Sequence, residues 1–272
     1  MNKRYEFLKR RYLKNKQEQI HIYEIEASEA ERHYPILCLH PAPYSGLFFK
    51  AIMPMINQHR KVIAPDYPGY GGSSPIESPP SISDYAAAIN NVLDQIGDYD
   101  QYELIGFHTG CLVANELCLL DPKKINHTIM IDIPYFSGDA QKRLYNQMSK
   151  PLDLTKDLES LKKAWDFNVK NRIGKTPMER SFELFIESLR PGIKDYFAFH
   201  AAFTYQCEEK FQSNSKHVNV LATRSGLLDA THAAAETLNK SEIRDIHDIS
   251  SNVFEEGATI IAEHVMEILS SD

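Results

Sequence analysis

The spacing of apolar residues switches repeatedly between two periods along this chain, and that switching restricts the fold more than any other feature. Residues 20–25 alternate apolar and polar positions as a half-buried strand does, and residues 34–39 form an almost wholly apolar run, the pattern of a strand covered on both faces. From there the periods alternate: helical over 48–57, extended over 61–64, helical over 83–96, extended over 102–105, helical over 111–120 and extended over 128–133. Parallel neighbours need a long crossover, usually a helix, so this alternation predicts an α/β protein with a mostly parallel sheet flanked by helices.

Residues 135–212 break the rhythm. They are charged, helical in period and without a convincing strand, and aromatic residues gather there from Trp165 to Phe211. Alternation resumes at 218–221, passes through a helix at 230–238 and a weak strand near 243–246, and ends in a helix over 257–269. The middle block therefore reads as an insertion: a core of residues 1–134 and 213–272 carries a helical cap of residues 135–212. At the start, Tyr5, Leu8 and Tyr12 recur at helical spacing among Lys and Arg, which predicts a helix over 2–19, either a membrane-surface or partner helix or one docked on its own domain or on a second copy, as in a homodimer.

Thirty Lys and Arg against 37 Asp and Glu give a net charge of −7, which repels a phosphate backbone and an anionic bilayer alike. The expected partner is thus a small-molecule substrate, with no nucleic acid and no membrane. No stretch is apolar enough for a membrane span, and the first residues lack the apolar run and cleavage site of a secretory leader, so the expected location is the cytoplasm. Cys38, Cys111, Cys118 and Cys207 show neither C-x-x-C pairing nor metal-ligand spacing and read as free thiols.

Three segments fall just after strands, where α/β domains build their sites. They are Leu39-His40-Pro41-Ala42-Pro43, the turn-rich Asp66-Tyr67-Pro68-Gly69-Tyr70-Gly71-Gly72-Ser73, and Gly106-Phe107-His108-Thr109-Gly110. In this order and spacing they resemble the α/β-hydrolase fold family, with its H-G-x-P loop, its D-x-P-G-x-G-x-S turn and its G-x-S-x-G nucleophile elbow. The resemblance spans nearly the whole chain and implies a hydrolase that needs no cofactor, with a cap between the sixth and seventh strands. It also implies an oxyanion hole from the backbone N–H groups of Ala42 and Thr109, and Gly106 and Gly110 as the elbow's close-packed glycines.

At the tip of that elbow stands His108, where the family carries Ser, Cys or Asp. Histidine tolerates positive φ better than most residues, so the turn survives the change. The chemistry does not survive unaltered, because a serine oxygen lies ~2.4 Å from its Cα and the far imidazole nitrogen ~4.5 Å, by ordinary bond lengths. A carbonyl attacked from there is pushed away from donors that must sit at about 2.7–3.1 Å.

The resemblance places the triad acid after the seventh strand, at Asp229, or after the sixth, at Asp132; either Asp could equally be a cap or turn former. Counted back from Glu255-Glu256-Gly257, the triad histidine falls near Ser250, and His247 is the only histidine close by. His200, in the aromatic block, could point at the pocket or pack among helices. Three readings follow. His108, oriented by Asp229 or Asp132, acts as base or nucleophile on a small, partly apolar ester, lactone or thioester, or in a lyase reaction. Alternatively the fold is catalytically retired and binds a small molecule or a partner protein. Last comes a metal held by His108, His247 and Asp229, for which the spacing gives no direct support.

Overall fold

The computed structural model describes residues 8–151 and 158–270. Its centre is an eight-stranded sheet in the order β1-β2-β4-β3-β5-β6-β7-β8. The strands are β1 (Lys9–Asn15), β2 (Glu18–Ile25), β3 (Ile36–Leu39), β4 (Val62–Pro65), β5 (Tyr102–Phe107), β6 (Ile125–Ile131), β7 (Val218–Thr223) and β8 (Ser241–Ile246). β1 and β2 pair antiparallel, β2 meets β4 antiparallel, and from β4 to β8 every pairing is parallel. β3, β4, β5 and β7 are buried along their whole length, as strands covered on both faces must be.

Helices α1 (Ile82–Asn90), α2 (Thr109–Leu120) and α8 (Leu228–Thr237) contribute to one core cluster, and α9 (Ala258–Ile268) to the other. Between β6 and β7 the described residues form helices only: α3 (Gly138–Met148), α4 (Glu159–Asn168), α5 (Met178–Leu189), α6 (Phe197–Thr204) and α7 (Cys207–Gln212), joined by short 3-10 turns. No helix among the described residues is long and apolar enough to cross a membrane.

Two expectations change. The helix expected over 2–19 is a strand where it is described, for residues 9–15 pair along their whole length with β2 and Lys16 turns the chain at φ 56°. The controlling period is two: Leu13 and Asn15 face inward, Tyr12 and Lys14 outward, and Tyr12 is 55% exposed. Residues 2–7 of that segment lie outside the described residues. Its Lys9, Arg10, Arg11 and Lys14 now decorate an edge strand, where positive charge discourages pairing with another sheet. The other change is at 48–57, where two 3-10 turns, Gly46–Phe49 and Met53–Met55, replace a helix; Pro54 within the second has no N–H to continue one.

Candidate active site

The parallel register brings three strand ends side by side, since Leu39 pairs with Gly106, Phe107 with Ile131 and Ile131 with Leu221. His108 follows β5 directly and caps α2 with φ 49° and ψ −120°, the sharp turn expected of an elbow. The glycines on either side explain its tightness. A Cβ on Gly106 would lie 2.6 Å from the Gly110 carbonyl oxygen, and one on Gly110 would lie 1.9 Å from that of Leu39. Gly110 therefore lets the β3 exit loop rest directly on the elbow helix. The N–H groups of Ala42 and Thr109 find no acceptor among the described residues and remain available as donors.

His40 holds the first loop to the second. The Tyr67 N–H donates to its Nε2 at 3.1 Å, so the ring proton sits on Nδ1, which donates to the Pro41 carbonyl at 3.1 Å. The ring stacks on Tyr67, and burial pushes its pKa down to about 4. Asp66 organises the second loop by accepting from Gly46 N–H and Gly72 N–H, both at 2.7 Å, and from His21 Nδ1 at 2.8 Å. These two motif residues shape loops and have no free polar atom to offer a substrate.

The His108 ring lies against Phe107, 4.0 Å between centroids, and Phe107 packs in turn on Phe48 and Phe254. His108 is half-buried, and burial pushes its pKa down to about 4, so it is neutral near pH 7. Among the described residues no side chain is hydrogen-bonded to it.

The acids expected to orient it are engaged or remote. Asp132 stands at the end of the adjacent strand at φ 52°, fully buried, but its carboxylate accepts from the Thr223 N–H at 2.8 Å and the Thr223 hydroxyl at 2.7 Å, facing β7. Burial raises its pKa while those Thr223 bonds oppose the rise. Asp229 is exposed on the first turn of α8, and His247 is exposed on the turn after β8. No group of three His, Cys, Asp or Glu among the described residues could hold a metal, so His108, His247 and Asp229 do not converge. His200 of α6 pairs with Tyr145 of α3 at 3.1 Å.

Sequence reasoning missed how the helices between β6 and β7 grip the site loops. Arg180 of α5, 7% exposed, donates to Glu255 and Glu183 at 2.8 Å each and to the Leu47 and Phe48 carbonyls at 3.1 and 3.0 Å. The Ser45 hydroxyl donates to Glu187, and Tyr44 to Asn168 at 2.6 Å. The Tyr70 hydroxyl donates to the Asp195 carbonyl at 2.9 Å and accepts from Ala198 N–H at 2.8 Å. Inward-facing charges in the amphipathic pattern of residues 178–189 were the available signal. Two clefts, of about 220 and 800 Å³, lie elsewhere: the smaller around Ser250 and Gly257, the larger beside Tyr34, Tyr99 and Glu103 at the amino ends of the strands. Neither is lined by His108, Ala42 or Thr109.

The sheet order, the elbow and the loops packed against it make this a protein of the α/β-hydrolase fold, and residues 34–168 match the model of that fold. Over 151 residues the chain is 25% identical to the pimeloyl-[acyl-carrier protein] methyl ester esterase of Legionella pneumophila (strain Corby), covering 50% of this chain and 59% of that protein. The match thus falls short of two thirds of the curated relative's length. Among solved structures, a hydrolase from Pseudomonas aeruginosa PA01 superposes with a TM-score of 0.78 at 14% identity, over 96% of this chain and 98% of the other. A thermophilic esterase from Thermogutta terrifontis superposes with a TM-score of 0.74 at 17% identity, with the same coverage.

Proposed function

We propose that this chain binds a small, partly apolar carbonyl compound at the elbow and hydrolyses it only where the leaving group is already good, as in an activated ester or a thioester. The neutral His108 imidazole would act as nucleophile or base without a carboxylate behind it, and because it reaches further out than a serine oxygen, the attacked carbonyl would draw only weak support from the Ala42 and Thr109 N–H groups. One observation carries the reading: at the turn where this fold places its nucleophile stands an imidazole with no side-chain partner among the described residues, followed by the Thr109 N–H, which, like the Ala42 N–H after β3, has no acceptor among them. The 25% identical relative, an esterase by name, lends support.

The restriction on substrate follows from leaving-group chemistry. A tetrahedral adduct expels its weaker base, and an imidazole whose conjugate acid has a pKa of about 4 leaves well ahead of an alkoxide. The gap narrows for a phenolate or a thiolate. As a base, such an imidazole is also too weak to activate water strongly at neutral pH.

The test is turnover of p-nitrophenyl butyrate, a butyryl thioester and methyl butyrate by the purified chain. The aryl ester and thioester should be cleaved, with kcat/KM falling at least about tenfold in His108→Ala, and the methyl ester should not. Rapid methyl ester cleavage, or aryl ester cleavage indifferent to His108→Ala, overturns the proposal. The retired-fold reading is favoured by one observation, that no described carboxylate reaches His108. It expects no turnover of any ester while ligands still raise the melting temperature.

A further inference from the structure

We propose that two copies of this chain pair through the outer face of α4 and α5, in a two-fold symmetric dimer centred on Phe182. Helix α5 turns a largely polar face inward, with Arg180, Ser181, Glu187 and Ser188 buried around Leu184, whereas Met178, Phe182 and Ile186 are 53, 46 and 47% exposed. Those three stand at i, i+4 and i+8 and so form one continuous ridge. Trp165 of α4, 41% exposed, extends the ridge sideways with its ring 6.3 Å from Phe182 and 5.4 Å from Phe185. Of eleven large apolar side chains exposed among the described residues, eight fall between 158 and 193, so the exposure is concentrated and not the scatter normal to a soluble surface.

The area fits a second copy. A fully exposed side chain of this size presents about 150–250 Å², so the free fractions of Trp165, Met178, Phe182 and Ile186 amount to roughly 400 Å². One side of a standard homodimer interface covers about 800 Å², of which about 500 Å² is apolar. Ile173 and Ile193, which flank α5 in sequence and are 64 and 58% exposed, add to it. Trp, Phe and Met are also the residues that interface centres favour. Ridges spaced by four residues interdigitate at a crossing angle of about −50°, which fixes how α5 of one protomer meets α5 of its partner.

Charge argues for the same occupant. Lys162 and Lys170, in and just after α4, pair with Asp166 at 3.4 and 4.0 Å, and exposed Glu179 follows Met178 in α5, so the segment that carries the ridge holds both signs, which a two-fold axis can oppose without net repulsion. A lipid surface would meet a chain of net charge −7. The inner face of α5 holds Ser45, Leu47 and Phe48 through Glu187 and Arg180, so a partner that fixes α5 also fixes the loop that follows Ala42. The proposal does not depend on what His108 does.

Sedimentation velocity of the full chain from 1 to 100 μM tests it. A species of twice the chain mass is expected, with the dissociation constant raised at least about 100-fold in Phe182→Glu/Ile186→Glu. Should that variant fail to fold, Phe182→Cys decides: all four native cysteines are buried, so a short bis-maleimide should link two copies through the new thiol. A monomer throughout the range, a dimer that survives the glutamate substitutions, an unlinked Phe182→Cys, or a monomer that co-sediments with phosphatidylcholine vesicles would each overturn the proposal.

Discussion

Replacing Arg180 with alanine should cost about 4 kcal/mol of stability at neutral pH. The side chain is 7% exposed and makes four hydrogen bonds, and Glu255, its partner at 2.8 Å, has a side chain only 9% exposed. Truncation leaves that carboxylate buried without a cation, a change that typically costs about 3–5 kcal/mol, and removes the donor from the Leu47 and Phe48 carbonyls. Glu183 suffers less, because Lys50 still reaches it at 2.8 Å. If the stranded charge is the main cost, Arg180→Met/Glu255→Gln should recover roughly 2 kcal/mol over Arg180→Ala, since no uncompensated charge remains. Urea unfolding followed by circular dichroism gives both numbers, with the slope checked so that a change in the unfolded state is not mistaken for one in the native state. A loss below about 1 kcal/mol for Arg180→Ala, or no recovery in the double variant, would refute the claim that this guanidinium ties α5 to the site loops.

Two further outcomes follow from the loop geometry. Gly110→Ala forces a methyl group against the Leu39 carbonyl at 1.9 Å, backbone on both sides, so it should destabilise by about 3 kcal/mol or more; a melting temperature within a degree of the parent contradicts the close approach. His40 has a folded pKa of about 4 against an unfolded value of about 6.5. Below pH 6.5 the unfolded chain therefore binds the extra proton, and the stability present above that pH is lost as pH falls towards 4. Between pH 7 and 5 the parent should lose about 2 kcal/mol more than His40→Gln, and equal losses would show that the ring is not held neutral.

The middle of the sheet could be read from the sequence because strands such as β3 and β4 are short, wholly buried apolar runs, a signal that needs no tertiary knowledge. The elbow could be read because Gly106 and Gly110 answer a local steric demand. The first strand could not: Tyr5, Leu8 and Tyr12 fit a helix by spacing, and only pairing with β2 decides that Leu13 and Asn15 are the inward side. Orientation was equally hidden. Asp132 follows its strand as expected, but which way its carboxylate turns depends on Thr223, 91 residues away. Asp229 and His247 were placed by analogy with the family's spacing, and the structure leaves both exposed and unattached to His108. In α5 the period was helical as expected, while the choice of inner face went to Arg180 and Glu187, because their partners lie on loops that local pattern cannot see.

The elbow carries a neutral imidazole with no described acid behind it. Its direct test is the pH titration of the His108 ring by NMR of histidine-labelled protein, with the resonance assigned by its loss in His108→Gln. A midpoint near pH 4, far below a free histidine, is expected. A midpoint at or above 7, the mark of a carboxylate paired with the ring, would contradict it.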